Sequence, residues 1–151
     1  MSRRMKRTST DILIAGGGVA GLTAAAAFGT AGFRVVIIDP TPPVTTSDAT
    51  GSDLRTTAFL QPAQQFLDAA GLWDKLGPFA TPLQVMRIVD AGTESHVIRD
   101  FNASDISDKP FGWNLPNWLL RREMVARLAE LPNVDFRPDT GYARMLARRD
   151  E

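Results

Sequence analysis

The sequence has no cysteine and a single histidine in 151 residues. Without cysteine there is no disulfide, no thiolate metal site and no cysteine nucleophile, which fits a reducing compartment and a cytoplasmic location. Lys plus Arg and Asp plus Glu number 17 each, so no net field of one sign draws nucleic acid or an anionic membrane. The lone His96 falls in a predicted strand, where a surface or packed histidine is expected rather than a catalytic base, and no acid-base dyad is read there. There is no G-x-S-x-G elbow. Asp105 and Asp108 in a polar loop are a poor start for a metal site, and none is expected. Trp73, Trp113 and Trp118 come without a basic stripe, so they read as core or interface aromatics rather than a base-stacking platform. No internal repeat or low-complexity tract is present.

Residues 12 to 33 carry no charge, and hydropathy alone would suggest a membrane span. Their glycines and alanines instead suit a strand, a turn and a helix, so no span is expected. Residues 1 to 10, with Arg3, Arg4, Lys6 and Arg7, read as a basic disordered tail. No apolar segment with a cleavage site follows, so a secretory signal is not expected. The remainder, 11 to 151, is 44% hydrophobic and 23% charged when taken with the tail, enough for one globular domain with a core.

Ile12 to Ala15 reads as a strand buried on both faces, and Val19 to Ala31 as a helix stopped by Gly32. A second buried strand, Arg34 to Ile38, ends at Asp39 before Pro40, Pro42 and Pro43. Residues 41 to 54 form a polar loop. Thr57 to Leu60 is a short apolar piece, and Pro62 to Ala70 a helix ended by Gly71, with Leu72, Trp73 and Leu76 in the core. Val85 to Val89 and His96 to Ile98 suggest a hairpin turning at Gly92, followed by a polar loop over 102 to 110. Trp118 to Leu131 reads as a helix with Leu120, Met124, Val125 and Leu128 on one face, and Val134 to Phe136 as a third parallel strand.

Gly16, Gly18 and Gly21 form G-x-G-x-x-G between the first strand and the first helix. Gly16 permits the turn, Gly18 lets a phosphate approach the backbone, and Gly21 lets helix and strand pack closely. The N–H groups of Val19 and Ala20 then open the helix toward an anion. Asp39 is placed to accept hydrogen bonds from an adenosine ribose, which disfavours a ribose carrying a 2′-phosphate. Ala25, Phe28, Gly32 and Val35 extend the fingerprint with small and apolar residues that pack helix on sheet. The fingerprint does not separate FAD from NAD.

Further along, Asp53-Leu-Arg55-Thr-Thr-Ala-Phe-Leu60 leads into a helix ending at Ala70-Gly-Leu-Trp73-Asp-Lys-Leu76. Gly112-Trp-Asn-Leu-Pro-Asn117 then opens the helix from Trp118. This order resembles the FAD-dependent aromatic-ring monooxygenases of the para-hydroxybenzoate hydroxylase type, with most likeness to the ubiquinone-biosynthesis hydroxylases. The likeness runs from Asp11 to about Phe136.

The resemblance implies an α/β, Rossmann-like FAD-binding domain with a parallel sheet and a short β-hairpin insertion. In it, Gly16, Gly18, Val19, Ala20 and Gly21 would hold the FAD phosphates and Asp39 the ribose. Arg55 would lie against the pyrophosphate and flavin region, and Asn117 would contact the cofactor at the head of its helix. As plain residues, Arg55 is a solvated loop arginine and Asn117 a helix N-cap; at least one of Arg121 and Arg122 faces solvent. The resemblance further implies NAD(P)H as reductant and a small aromatic substrate, a polyprenylated phenol, met by peripheral association at the inner face of the membrane. No catalytic residue is singled out.

Asp39 stands where the family often has Glu, and Leu60 where it often has Ser. The family's later Asp-Gly and Gly-Asp segments are not recognisable before Arg148-Arg-Asp-Glu151, so the chain is expected to be the N-terminal part of a longer hydroxylase. The alternatives are a NAD- or FAD-dependent oxidoreductase of another family sharing only the first unit, or an inactive nucleotide-binding fragment.

Overall fold

The computed structural model describes residues 9–90, 92 and 97–146. Most of the basic tail, His96 and the final Arg148 to Glu151 lie outside the described residues. Thr10, at the end of the expected tail, is tied in: its hydroxyl donates to the Arg34 carbonyl at 2.6 Å.

The chain begins with β1 (Ile12–Ala15), α1 (Val19–Thr30) and β2 (Val35–Asp39), a strand-helix-strand unit that makes β1 and β2 parallel. Ala31 caps α1, and Gly32 at φ 93° reverses the chain as the helix stop requires. The third strand of this sheet, β8 (Val134–Pro138), arrives last and pairs parallel with β2, giving the order β1-β2-β8. Between them lie β3 (Thr56–Leu60), α2 (Gln61–Ala69), α3 (Trp73–Leu76), β4 (Thr81–Leu83), the β5 (Val85–Asp90) and β6 (Val97–Asn102) hairpin, β7 (Gly112–Pro116) and α4 (Asn117–Ala129). β3, β7 and β4 form a small antiparallel sheet with β7 in the middle.

The core lies where α1 and α4 meet each other and β2. Leu22, Ala25 and Ala26 of α1 join Val35 and Ile37 of β2 and Leu119, Leu120, Met124 and Leu128 of α4. The alanines let the helices come close: the Thr23 hydroxyl reaches Met124 Sδ at 3.7 Å. Gly29 fits against β8, where an added Cβ would lie 2.4 Å from Val134 Cγ2. Leu72 and Leu76 close the far side, as read from sequence, together with Leu67, while Trp73 is only half-buried and meets Trp113 edge to face at 5.3 Å.

Several sequence expectations need correction. β2 is buried on both faces, but β1 is not: Ile12 and Ile14 pack on the core while Leu13 is 57% exposed. The helices cover one face of this strand, and its alternation assigns the other residues outward. The segment Gly112 to Pro116 does lead into α4, but it is itself the central strand of the antiparallel sheet, which the sequence did not announce. Gly112 is needed there, since a Cβ would sit 2.2 Å from the Phe59 carbonyl oxygen. The three-residue strand β4 was too short to show a period. β6 runs from Val97 to Asn102, so the polar loop starts later than expected, with a single 3₁₀ turn at Ala103–Asp105. The hairpin leaves Val85, Met86, Ile88, Val89, Val97, Ile98 and Phe101 exposed.

Ion pairs pin the periphery. Hydrogen bonds from Arg34 hold the Asp11 carboxyl below its ordinary pKa, Arg87 does the same for Asp100, and Lys75, reinforced by Arg127, does so for Glu130. Each lowered pKa is a preference of the folded state for the ionised acid. The associated stability is complete above the unfolded carboxylate values and is lost as pH falls through the folded ones. A pH series of thermal melts should therefore be nearly flat from neutrality to about pH 5 and fall below about pH 4. In the core, Leu120→Ala is expected to cost about 3 kcal/mol in chemical denaturation, because Leu120 is fully buried between α4 and its neighbours. A loss under about 1 kcal/mol would show that the site collapses around the smaller residue.

Candidate nucleotide-binding site

β1 delivers the chain into a turn at Gly16, whose φ of 119° suits glycine. The Gly16 N–H donates to the Ile38 carbonyl at 2.8 Å, which fixes the turn to the end of β2. The Gly17 N–H donates to Asp39 Oδ2 at 2.5 Å, so the acid ending β2 clamps the turn directly. Gly18 is the extended N-cap of α1, and its carbonyl accepts the first helical N–H, from Leu22, at 2.9 Å. The N–H groups of Val19, Ala20 and Gly21 therefore have no partner within the helix. No acid stands in the first turn and no side chain caps it.

The second and third motif glycines do different work. A Cβ on Gly21 would lie 1.9 Å from the Gly16 carbonyl oxygen, inside the backbone of the turn. A Cβ on Gly18 would meet nothing within 4 Å. The space in front of Gly18 is open, and it faces a cleft of about 230 Å³ lined by Gly17, Gly18, Asp39, Thr41, Pro42, Pro43, Val44, Gly51 and Arg121.

Asp39 lines this cleft where the sequence placed it. Its Oδ1 also accepts the Thr41 N–H at 2.7 Å, so each oxygen holds one backbone donor. A carboxylate has about four lone-pair positions, which leaves acceptors for ribose hydroxyls.

Arg55 and Asn117 meet each other's partners rather than the cleft wall. The Arg55 guanidinium, 83% exposed, forks onto Asp53 with Nε and Nη2 each at 2.8 Å. Asn117 is not an N-cap: Pro116 occupies that position, and Asn117 is the first helical residue. Its buried side chain donates from Nδ2 to Asp53 Oδ2 at 3.0 Å and accepts the Thr57 hydroxyl at 2.6 Å. Its backbone N–H donates to the Arg55 carbonyl at 2.9 Å. Asn117 thus fastens α4 to the loop before β3.

One turn further along α4 is Arg121, which the sequence left unassigned. It lines the cleft, its Nη2 lies 3.7 Å from Asp53 Oδ2, and its buried Nε has no hydrogen-bond partner. The available signal was its spacing of one helical turn from Asn117. Arg122 takes the outer face, donating from Nε to Glu123 at 2.7 Å and lying over the rings of Phe79 and Trp118. Asp53 was also missed as a site residue, although it precedes Arg55 by two positions. Among the described residues no group of three His, Cys, Asp or Glu side chains is placed to hold a metal.

These features fit the phosphates of a dinucleotide: unpartnered helix donors, open space at Gly18, and an arginine, Arg121, on the wall of the same cleft. The comparisons with known proteins agree. Residues 9–151 match the family model described as FAD binding domain. The chain is 38% identical over 141 residues to ubiquinone hydroxylase UbiL of Rhodospirillum rubrum, covering 93% of this chain and 31% of that protein. It is 31% identical over 135 residues to a 3-(3-hydroxy-phenyl)propionate/3-hydroxycinnamic acid hydroxylase of a Mycobacterium species, covering 86% of this chain and 22% of that one. The solved p-nitrophenol 4-monooxygenase PnpA of Pseudomonas putida superposes with a TM-score of 0.70 at 26% identity, over 89% of this chain and 33% of that structure. The chain thus spans under a third of the length of the curated relatives it matches.

Two substitutions separate the roles of the glycines. Gly21→Ala is expected to destabilise the fold in thermal melts, because α1 must move off the turn. Gly18→Ala should leave the melting temperature within a few degrees of the parent yet weaken nucleotide binding. Equal melting of the two variants would contradict the close approach at Gly21.

Proposed function

Taking membership of the FAD-binding domain family shared with aromatic hydroxylases as the premise, the chain being such a domain, we propose that it is the cofactor-binding part of a flavoprotein monooxygenase acting on a phenol. The observation that carries this reading is the meeting, on one cleft, of the glycine turn and the Arg121 guanidinium side chain. When bound, FAD supplies the redox and oxygen chemistry, with NAD(P)H as its reductant in the intact enzyme.

The chain's own residues bind and orient. The N–H groups opening α1 and the guanidinium of Arg121 offset the two negative charges of a pyrophosphate. Asp39 keeps the turn closed through Gly17 and offers its remaining lone pairs to the ribose. Arg55, exposed and paired with Asp53, is the cation we assign to the flavin half.

For the substrate we favour a polyprenylated phenol of ubiquinone biosynthesis, supported by the likeness to the Rhodospirillum hydroxylase. The tail would keep such a phenol in lipid. No helix of the described residues is long and apolar enough to cross a membrane. The intact protein would therefore meet its substrate from the membrane surface, on the cytoplasmic side.

The test is a parallel titration of the purified chain with FAD, ADP and NAD, followed by flavin fluorescence and by calorimetry. FAD is expected to bind most tightly, and Arg121→Ala to weaken it by about tenfold, the scale of a charge-assisted hydrogen bond. Arg55→Ala should weaken FAD more than ADP, since its place is beyond the adenosine half. Tight NAD binding without FAD binding would sink the flavin reading, and equal losses of FAD and ADP in Arg55→Ala would remove Arg55 from the flavin side.

A further inference from the structure

We propose that Asp53 is a positioning residue for the cationic rim of the cleft: an internal anion that gathers Arg55 and Arg121 side by side, so that its negative charge raises the affinity for a dinucleotide pyrophosphate. The inference rests on the reading of the cleft as a dinucleotide site.

Asp53 sits in the loop before β3, its side chain only 12% exposed. Its Oδ1 accepts the Arg55 backbone N–H at 3.2 Å and Nε at 2.8 Å. Its Oδ2 accepts Arg55 Nη2 at 2.8 Å and Asn117 Nδ2 at 3.0 Å, with Arg121 Nη2 at 3.7 Å. The acid is itself immobilised, because Asn117 is buried and held in turn by Thr57 and by the Arg55 carbonyl. These bonds hold the Asp53 carboxyl far below its ordinary pKa, so it stays ionised at any pH near neutrality.

The charges decide the role. Two guanidiniums from different elements, one on a loop and one on α4, converge on one carboxylate. Without it they would repel each other, and Arg55, 83% exposed and held by its side chain to Asp53, would sample many rotamers. With it, one unit of positive charge is left over, and Arg121 carries it to the cleft wall. A phosphate oxygen arriving in the cleft finds donors already in place. Asp53 touches neither phosphate nor flavin in this arrangement, because it is not among the cleft-lining residues.

The sign of one substitution tests this. A simple field argument says that Asp53→Asn, by removing a negative charge near an anion site, tightens FAD. Positioning says the opposite: the full chain with Asp53→Asn should bind FAD about tenfold more weakly, with the same direction for inorganic pyrophosphate. In an Arg55→Gln/Arg121→Gln background the same change should have no effect on FAD affinity, since nothing remains to position. A purely structural role would carry the loss into that background unchanged. If Asp53→Asn alone does not fold, Asp53→Glu, which keeps the charge but displaces the carboxylate from Arg55 and Arg121, is expected to weaken FAD in the parent and not in the double arginine variant; unchanged binding in the parent would overturn the proposal. Tighter or unchanged FAD binding in Asp53→Asn, or an equal loss in the double-arginine background, would overturn the proposal. A parent chain that binds pyrophosphate but not FAD would overturn the flavin reading alone, and the pyrophosphate affinities of the same variants would then judge Asp53.

Discussion

The contact on which the structure turns is the approach of α1 to the glycine turn. At Gly21 the helix comes so near the Gly16 carbonyl that no side chain fits. That approach sets α1 along β1 and β2, and the alanines Ala25 and Ala26 then let α4 pack against α1 in the same layer. Because α4 is placed by α1, the position of Arg121 over the cleft follows from the close approach made about a hundred residues earlier in the chain. Asp39 completes the arrangement from the other side. Its hydrogen bond to the Gly17 N–H couples the end of β2 to the turn, so sheet, turn and helix are fixed as one unit.

Charge is distributed across this unit with little left unmatched. The two acids near the cleft have separate tasks: Asp39 holds backbone, and Asp53 holds side chains. Both carry negative charge close to a site for anionic phosphate, and both hold donors in place. A buried or half-buried arginine without a counter-charge is costly to desolvate and free to move. An acid behind it offsets both effects while leaving its outer N–H groups available. Asn117 belongs to the same scheme. It carries no charge, yet it links Thr57, the Arg55 backbone and Asp53, which are brought together by β3 and α4.

The local parts of this architecture were readable from residue order. The turn at Gly16, the helix from Val19, the stop at Gly32 and the strand ending in Asp39 each depend on neighbours within a few positions, and each formed as read. The parallel strand from Val134 was also legible from its short apolar run. What escaped were features set by distant contacts. β7 has no alternation to announce it, and Gly112 is required only because Phe59 crosses beside it. Leu13 looks like a core residue in any hydropathy reading and is turned outward because the helices lie on the opposite face. Asn117 carries the sequence signature of a cap but sits one residue inside the helix, since Pro116 with its fixed φ takes the cap position. Arg121 was indistinguishable in type from Arg122 beside it. Only the face of α4 that packs on α1 sorts one to the cleft and the other to Phe79 and Trp118.

The site therefore has two halves with different physical origins, and this explains what its fingerprint does and does not specify. The phosphate end is backbone: helix N–H groups, an open approach at Gly18 and a turn closed by Asp39. Any ADP-containing cofactor presents the same diphosphate to those donors, so the glycine motif carries no information about the group beyond it. The rim is side chain: Arg121, Arg55 and the acid between them, assembled from a loop and a helix some sixty residues apart in sequence. Side chains can be exchanged without disturbing the turn, and their reach extends past the diphosphate. At the rim the charges are held by tertiary contacts rather than by the local fold. The cleft thus joins a backbone turn fixed by local sequence to an ion-pair network that only the folded chain brings together.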